Sequence, residues 1–185
     1  MFLGSLATLS NDSVGNYIVQ TVLSTARNKV QAESYLKELL PVFGSLVDSK
    51  LGVVWHLTEM LSKFRIGQET LHKKLQENLQ HGSKLSISEC VPKLIRFVPA
   101  KDDKGRINVN ANGCKVVLNM LRFVPRLCNP VLNSILDHYD ADGLCAMAKD
   151  PLGSRWYVLF FYYLITFETL TFAVKHTRWH SGRKY

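Results

Sequence analysis

The sequence lacks the local motifs that mark the common classes of enzyme. It contains no Gly-x-Ser-x-Gly nucleophile turn, no glycine-rich phosphate loop and no His-Glu-x-x-His metal motif. His176 and His180 have a spacing that a helix could use to bind a metal ion, but no paired cysteines or carboxylate accompany them. We therefore expect a protein that is not an enzyme, with no catalytic residues, no metal site and no cofactor.

Cysteine is scarce, and its arrangement excludes a disulfide framework. Cys90, Cys114, Cys128 and Cys145 stand singly in apolar surroundings, without a Cys-x-x-Cys pair. This predicts buried free thiols in a reducing compartment. Residues 1–9 are apolar but carry no basic residue, and polar residues follow too soon for a secretory signal. We expect an intracellular chain.

Acidic residues are too few to balance the basic ones. The chain has 23 Lys and Arg against 15 Asp and Glu, and its 46% hydrophobic content is that of an ordinary folded protein. Residues 93–126 hold eight basic and two acidic side chains, so the positive charge is concentrated in the second half. Such asymmetry favours a polyanionic partner, RNA or an anionic surface, although many basic surfaces only maintain solubility.

One long apolar run is present, at residues 156–174, and a basic segment follows it. Its length could just cross a bilayer, which leaves a membrane-tethered helical adaptor as one alternative. Against this, Glu168 lies within the run. We interpret residues 156–185 as an atypical aromatic and basic tail, either a buried terminal helix or a poorly folded segment.

A polar stretch that leads into an apolar helix recurs along the chain, around Gly15, Gly52, Gly113 and Gly153. The spacings are 37, 61 and 40 residues. Self-similar helical units of this length are typical of stacked repeats, so residues 1–155 are predicted to form one all-α array. The 61-residue gap indicates an insertion or a degenerate half unit. The last companion helix is predicted at residues 129–139, with Pro130 in its first turn and Leu136 facing inward.

The first unit carries the most informative side chains. Asp12 can cap its helix, and Asn16 and Gln20 lie four residues apart, on one helix face. Two carboxamides with the ring of Tyr17 between them could bind the edge of a nucleobase and stack on its plane, as proteins that bind single-stranded RNA do. The alternative is that Asn16 caps the helix, Tyr17 belongs to the core and Gln20 is solvated.

Four segments carry a resemblance to a known family: residues 12–20 (Asp-Ser-Val-Gly-Asn-Tyr-Ile-Val-Gln), 51–55 (Leu-Gly-Val-Val-Trp), 112–117 (Asn-Gly-Cys-Lys-Val-Val) and 148–155 (Ala-Lys-Asp-Pro-Leu-Gly-Ser-Arg). Over residues 12–155 the chain resembles the Pumilio (PUF) repeat family, and within it the C-terminal repeats of the nucleolar protein 9 branch with its plant relatives. The resemblance implies a right-handed α-solenoid whose second helices line a concave RNA-binding face. It also implies a role in small-subunit pre-rRNA processing in the nucleus, at the nucleolus. The departure from the family pattern after Arg155 suggests a fragment of a longer factor or an alternatively terminated product.

The resemblance also assigns roles to single residues, repeat by repeat. In the first repeat Asn16 and Gln20 would read a base edge and Tyr17 would stack. The second and third repeats place apolar or basic residues at the three reading positions, namely Val53, Val54 and Leu57, then Cys114, Lys115 and Leu118. In the fourth, Ser154 and Arg155 match the family pattern, but Val158 stands where an acidic partner is expected. The resemblance therefore implies weak sequence preference centred on the first repeat.

The expected function is that of a monomeric RNA-binding protein acting on pre-rRNA, with pre-ribosomal particle proteins as further partners. Candidate phosphate contacts are the basic residues of the second half: Lys93, Arg96, Lys101, Lys104, Arg106, Lys115, Arg122 and Arg126. The main rival is a protein-binding scaffold of armadillo or HEAT type, which an apolar surface at Val53, Val54 and Leu57 would favour.

Overall fold

The computed structural model describes residues 4–79, 87–96, 98–99 and 107–139, together with residues 142, 143, 145, 149 and 154. Within these ranges the chain forms helices α1 (Leu6–Asn11), α2 (Gly15–Ser24), α3 (Lys29–Leu39), α4 (Phe43–Ser49), α5 (Leu51–Phe64), α6 (Gln68–Leu79), α7 (Ile87–Ile95), α8 (Ala111–Met120) and α9 (Pro125–His138), with strands β1 (Val98–Pro99) and β2 (Ile107–Asn108) between α7 and α8. A 3₁₀ turn at Leu40–Val42 contains Pro41 and joins α3 to α4.

The nine helices stack as three triplets, which we call the first (α1–α3), second (α4–α6) and third (α7–α9) triplet. Each triplet has a middle helix, and the middle helices pack in chain order, α2 against α5 and α5 against α8. Stacked units that contact their nearest neighbours form a solenoid. The predicted all-α solenoid of helical repeats is therefore confirmed, with the small β1–β2 pair as an addition to it.

A continuous apolar core runs through the three triplets. Helix α5 is its centre, and Val53, Val54, Leu57 and Leu61 are each 0% exposed. Because α5 packs between α2 and α8, it must be apolar on two sides rather than along one stripe. Helix α6 behaves as a surface helix instead, as its polar sequence predicts, and buries one face around Leu71 and Leu75.

Polar caps and left-handed residues fix where the helices begin and end. The Asn28 side chain accepts a hydrogen bond from the Gln31 N–H (2.9 Å) and begins α3. Helix α5 ends at Arg65, which has a left-handed backbone (φ 54°), and the Ile66 N–H donates to the Leu61 carbonyl (3.2 Å). Asn28 thus fixes the start of α3, and Arg65 fixes the end of the middle helix α5.

An insertion separates α7 from α8. Its strands pair antiparallel, with Val98 opposite Asn108, and the Asn110 N–H donates to the Ile95 carbonyl (2.8 Å). The chain therefore leaves α7 and returns to α8 at nearly the same point. Much of the extra length in the 61-residue spacing between Gly52 and Gly113 therefore lies in this insertion. The other described residues of that spacing belong to the ordinary helices α6 and α7, so no degenerate half unit is required.

A buried glutamine ties the second triplet to the third. The Gln68 carbonyl oxygen accepts a hydrogen bond from the Val124 N–H (3.0 Å), and its amide donates to the Leu61 carbonyl (3.4 Å). Gln68 is only 6% exposed. The first bond gives a partner to the N–H at the start of α9, which has none within its own helix, and the second adds a donor to a carbonyl in the last turn of α5.

The last helix differs from its prediction. Helix α9 begins at Pro125 and not at Asn129, so Pro130 lies inside the helix and not in its first turn. Pro125 occupies the first turn, where a missing N–H costs nothing. Of the four residues predicted to face inward, Val131, Leu132 and Ile135 are buried, whereas Leu136 is 47% exposed. Successive helix residues point about 100° apart, and Leu136 falls outside the buried stripe that Cys128, Val131 and Ile135 form.

The cysteine prediction holds for three of the four residues. Cys90, Cys114 and Cys128 are buried free thiols, whereas Cys145 is exposed. Burial raises the pKa of Cys90 to about 11 and also raises that of Cys128, so both are inert thiols rather than reactive thiolates.

Within the described ranges, no helix is both long enough and apolar enough to cross a bilayer. The apolar run at residues 156–174, on which the membrane alternative depended, lies outside the described residues.

Candidate nucleic-acid interface

The start of α2 is held by an acidic cap. Asp12 Oδ1 accepts hydrogen bonds from the Gly15 N–H (2.6 Å) and the Val14 N–H (2.9 Å). These bonds, led by the one from Gly15, lower the pKa of Asp12 because they favour the charged carboxylate. Asp12 therefore satisfies free N–H groups at the start of the helix, as its sequence position predicts.

Asn16 and Gln20 form one hydrogen-bonded unit. The Asn16 amide donates to the carbonyl oxygens of Ser13 (2.7 Å) and Asp12 (3.0 Å), and Asn16 Oδ1 accepts from Gln20 Nε2 (3.0 Å). Asn16 is only 6% exposed, and both of its donor hydrogens are used. Gln20 is half-buried and retains its carbonyl oxygen and a second N–H. Asn16 thus orients Gln20, and Gln20 presents the free polar atoms.

Tyr17 is exposed, contrary to the alternative in which it belongs to the core. Its side chain is 66% exposed, and that of the next residue, Ile18, is 43% exposed. A ring that is held by a helix backbone but open to solvent can accept a flat partner on its face.

A groove of about 510 Å³ runs from α2 past the starts of α5 and α8. It brings the predicted base-reading residues of the first triplet together with polar and basic residues of the other two. Its lining residues are Ser13, Asn16, Tyr17, Gln20, Asp48, Ser49, Lys50, Leu51, Gly52, Arg96, Asn110 and Asn112.

Gly52 makes room for Gln20 in this groove. A Cβ atom at residue 52 would lie 2.9 Å from Gln20 Nε2 and 3.2 Å from Gln20 Oε1. The absence of a side chain on α5 therefore allows the Gln20 amide to lie across the α2–α5 boundary.

Arg96 reaches the same groove from the third triplet. It follows α7 with a left-handed backbone (φ 50°), and its N–H donates to the Pro92 carbonyl (2.8 Å). Its side chain is exposed. The turn into the insertion therefore places Arg96 in the lining of the groove that Asn16 and Gln20 also line, which sequence spacing alone did not indicate.

Burial and backbone hydrogen bonds together set a common register for the three middle helices. The buried positions Gly15, Asn16 and Val19 of α2 coincide with the buried positions 53, 54 and 57 of α5 and 113, 114 and 117 of α8. At the start of each, a carbonyl accepts from the N–H four residues later: Asn16 to Asp12 (3.4 Å), Val54 to Lys50 (3.4 Å) and Cys114 to Asn110 (2.9 Å). In addition, a Cβ at Gly15 or Gly113 would meet the last turn of the preceding short helix, at the carbonyl oxygen of Leu9 or Leu94. Gly15 and Gly113 are therefore equivalent.

The same register places Val53, and not Gly52, at the position of Gly15. The assignment from sequence is thus shifted by one residue in the second triplet. Val54 and Thr58 occupy the positions of Asn16 and Gln20, and Trp55 occupies that of Tyr17. Val54 and Thr58 are both 0% exposed, so neither side chain is open to a base edge.

Trp55 and Lys115 meet where α5 packs against α8. Lys115 Nζ lies 3.6 Å from the centroid of the Trp55 indole, and the His56 ring lies 4.0 Å from it at 32°. His56 Nδ1 is 3.4 Å from the Glu59 carboxylate. Burial lowers the pKa of His56, and the Lys115 charge lowers it further against the opposing effect of Glu59.

The other predicted phosphate contacts are scattered. Lys93 Nζ donates to the Leu79 carbonyl (2.9 Å), away from the groove lining. Arg122 Nη1 is 3.3 Å from Asn119 Oδ1, and Arg126 pairs with Glu69 beside a separate cavity of about 300 Å³ between the α5–α6 turn and the start of α9. The described residues do not include three further candidates, Lys101, Lys104 and Arg106. Of the base-reading residues predicted in the fourth repeat, Arg155 also lies outside the described residues, whereas Ser154 is helical and half-buried.

A metal site is not formed in the part of the chain that the structure describes, since no three His, Cys, Asp or Glu side chains come together there.

The fold and the groove define the class of this protein. It is a solenoid of stacked helical repeats that presents polar and aromatic side chains from its middle helices along one surface. Residues 1–175 match the family model described as "NOP9-like PUF repeat domain", and the chain belongs to this family. The predicted Pumilio resemblance is confirmed.

Solved structures share the fold of this chain. "Structure of APUM23-deletion-of-insert-region-GGAAUUGACGG" and "Structure of APUM23-GGAGUUGACGG" each align with a TM-score of 0.70, 24% sequence identity and 86% coverage of this chain. The alignments cover 33% and 31% of those chains, so this chain spans about a third of their length. The comparison with curated proteins gave no match.

Proposed function

We propose that this chain binds single-stranded RNA along the groove and the adjoining surface of the middle helices. The observation that carries the proposal is the groove itself, which gathers the Asn16–Gln20 amide pair, the exposed ring of Tyr17 and the Arg96 guanidinium. Single-stranded RNA offers what these groups bind: base edges, base faces and phosphates.

Each group has a distinct role in this proposal. Gln20, oriented by Asn16, hydrogen-bonds a base edge, and Tyr17 stacks on a base plane. Arg96 and Lys50, which line the same groove, pair with phosphates. The excess of basic residues, which gives a formal net charge of +8, strengthens binding to any polyanion without regard to sequence.

Sequence preference is expected to be narrow. The positions equivalent to Asn16 and Gln20 hold Val54 and Thr58 in the second triplet and Cys114 and Leu118 in the third, none of which offers a carboxamide. Discrimination is therefore centred on the first triplet, and the remaining affinity comes from charge and shape. Ser154 and Arg155 remain the proposed reading residues of a fourth repeat.

The biological setting follows from the family. Membership of the NOP9-like PUF family supports pre-rRNA as the RNA, small-subunit pre-rRNA processing as the process and the nucleolus as the location. We propose a monomer that contributes binding and not catalysis, with proteins of the pre-ribosomal particle as further partners.

The rival protein-binding scaffold depended on an exposed apolar surface at Val53, Val54 and Leu57. All three are 0% exposed, so they are core residues and offer no docking surface. The RNA hypothesis is therefore the one retained.

A salt series tests the proposal. A fluorescein-labelled, uridine-rich single strand is titrated with the chain at 50 and 200 mM salt, and the Kd is read by fluorescence polarisation. Neutralising two or three phosphates predicts a Kd that rises about tenfold over this range. The Asn16→Ala, Gln20→Ala double variant should lose about 1 to 3 kcal/mol of binding free energy and some base preference. A Kd that ignores salt, or no binding by the folded chain, would contradict the proposal.

A further inference from the structure

The middle helices begin at the groove and end at the opposite edge of the solenoid. All three start in the groove lining and pack in chain order, so they run in the same direction. At about 1.5 Å per residue, the 14 residues of α5 place the two edges about 20 Å apart. Two hydrogen bonds join the turns at the far edge: Lys63 Nζ donates to the Ala26 carbonyl (3.5 Å), and the Val124 N–H donates to the Gln68 carbonyl oxygen (3.0 Å). These turns therefore form one continuous surface.

Positive charge is concentrated on this surface. The segments that contain the three turns, residues 25–30, 62–70 and 120–127, hold six basic residues and one acidic residue. By comparison, the groove lining holds two basic residues and one acidic residue. We call the six basic residues, all of them exposed, the basic edge: Arg27, Lys29, Lys63, Arg65, Arg122 and Arg126. The groove is thus the less basic of the two edges.

The cavity between the α5–α6 turn and the start of α9 lies on the basic edge. Arg65 and Arg126 line it together with Glu69 and Val124. Arg126 pairs with Glu69, whereas Arg65 forms no ion pair with any described residue. An open cavity with a surplus of positive charge attracts an anionic group.

Exposed valines lie among these cations. Val30, next to Lys29, is 74% exposed, and Val124 in the cavity lining is 38% exposed. The exposed aromatic side chain of the described residues, that of Tyr17, lies at the groove instead. A peptide with carboxylates and apolar side chains would use both the cations and the valines. Single-stranded RNA would use only the cations, because its bases bind by stacking on aromatic rings.

The repeat of these cations from triplet to triplet matches an extended peptide. Each triplet contributes two of them, and stacked helices lie about 8 to 10 Å apart. Three residues of an extended chain span about 10 Å. An acidic residue at every third position therefore meets one pair of cations in each triplet.

We propose that the basic edge binds an extended acidic segment of a partner protein, with carboxylates about three residues apart and apolar side chains between them. The segment binds on the side of the solenoid opposite the groove, so it does not compete with RNA. This inference does not depend on the proposed RNA binding.

A peptide titration tests the proposal. The probe is a fluorescein-labelled peptide of about twelve residues, Glu-Ser-Val repeated, which is long enough to span the three triplets. Its Kd for the full chain is read by fluorescence polarisation at low salt, where exposed charges are little screened. The control peptide has Gln in place of Glu and should not bind. No binding of the acidic peptide at about 1 mM chain, or equal binding of the two peptides, would overturn the proposal.

Charge reversals identify the surface that binds the peptide. Arg65→Glu removes an attraction and adds a repulsion at the cavity, and should weaken peptide binding about fivefold. Lys37→Glu makes the same change at an exposed position in the last turn of α3 and should weaken it less than about twofold. Equal losses would show that the peptide responds to net charge alone and would exclude a docking site. If Arg65→Glu is unfolded by circular dichroism, Arg27→Glu in the first triplet gives the same comparison.

Glu69→Gln should give a gain of affinity that damage to the fold cannot produce. It releases Arg126 from its ion pair and should tighten peptide binding about twofold. An unchanged or weaker affinity in this variant would contradict the assignment of the cavity to the peptide.

Competition with RNA distinguishes the two edges. A uridine-rich single strand at saturating concentration should leave the peptide Kd unchanged, and Arg65→Glu should weaken RNA binding no more than Lys37→Glu does. Displacement of the peptide by RNA, with a selective loss of RNA affinity in Arg65→Glu, would make the basic edge a phosphate site and overturn the proposal. If the chain does not bind RNA, the proposed function fails and the peptide titration still decides this inference.

Discussion

In the first triplet, Asn16 and Gln20 lie beside an open groove and hydrogen-bond each other, whereas at the equivalent positions of the second triplet Val54 and Thr58 are 0% exposed. The Thr58 hydroxyl donates to the Val54 carbonyl (2.6 Å), within its own helix. The two middle helices share one backbone register, so the difference lies in the side chains and in their neighbours. Helix α5 is packed on both sides, so the position that is half-buried at Gln20 in α2 is fully buried at Thr58 in α5. A shared repeat backbone therefore does not by itself supply a shared binding chemistry.

The largest expected effect is a loss of stability on substitution of Gly113, and it tests the alignment of the middle helices on which this comparison depends. A Cβ at Gly113 would overlap the Leu94 carbonyl oxygen, whereas a Cβ at Gly52 would meet only the flexible end of Gln20. Gly113→Ala should thus lower the free energy of unfolding by about 2 to 3 kcal/mol, and Gly52→Ala should change it little while weakening RNA binding by displacing Gln20. Urea unfolding of both variants measures this, and equal destabilisation would show that the register is misassigned.

The second expected effect is a pH dependence of stability that arises from His72, a polar side chain buried in the second triplet. His72 is 6% exposed, contacts the Phe123 ring (5.7 Å) and leaves Nε2 without a hydrogen-bond partner. Burial lowers its pKa from 6.5 to about 4. The unfolded chain then binds a proton that the folded chain does not, so stability is full above pH 6.5 and is lost as the pH falls towards 4.

Between pH 7 and pH 5 this loss should reach about 2 kcal/mol. His72→Leu should remove it, and the measurement is the difference in unfolding free energy between variant and wild type at the two pH values. His138→Gln, at an exposed position, serves as the control. A wild-type pH dependence that persists in His72→Leu would show that His72 does not cause it.

A smaller effect on stability and RNA affinity should distinguish the roles of Asn16 and Gln20, the two amide side chains of the first triplet. Asn16→Ala removes bonds to the Asp12 and Ser13 carbonyls and should cost about 1 kcal/mol of stability. Gln20→Ala should cost less stability but more RNA affinity, because its free polar atoms face the groove. Thermal unfolding and polarisation on the same variants check this, and the opposite pattern would make Asn16 the reading residue.

The smallest effect is expected at Thr58. Its hydroxyl donates to the Val54 carbonyl within the same helix, α5, and such local bonds contribute little to stability. Thr58→Val should therefore change the free energy of unfolding by less than about 0.5 kcal/mol and leave RNA binding unchanged. Any loss of RNA affinity in this variant, measured by polarisation, would mean that the second triplet reads bases after all.

The repeating helices, the Asp12 cap and the polar α6 helix could be predicted because each depends on short-range pattern. The position of Trp55 could not, because Leu51-Gly-Val-Val looks like the Gly15 motif, and only the burial and hydrogen bonds of the folded chain show that Val53 is the counterpart of Gly15. Arg96 was one of eight basic candidates, and its place in the groove depends on a left-handed turn after α7. The use of both Asn16 donors depends on the folded turn at Asp12 and Ser13, which spacing cannot reveal.

The bond between the Asn110 N–H and the Ile95 carbonyl has an evolutionary and a practical consequence. Because it closes the insertion at its base, residues can be added or removed between β1 and β2 without moving α7 or α8, and each doubling of such a loop costs only about 0.6 kcal/mol. The insertion can thus vary in length and charge while α7 and α8 stay in place. The same property makes it a suitable site for grafting a reporter tag.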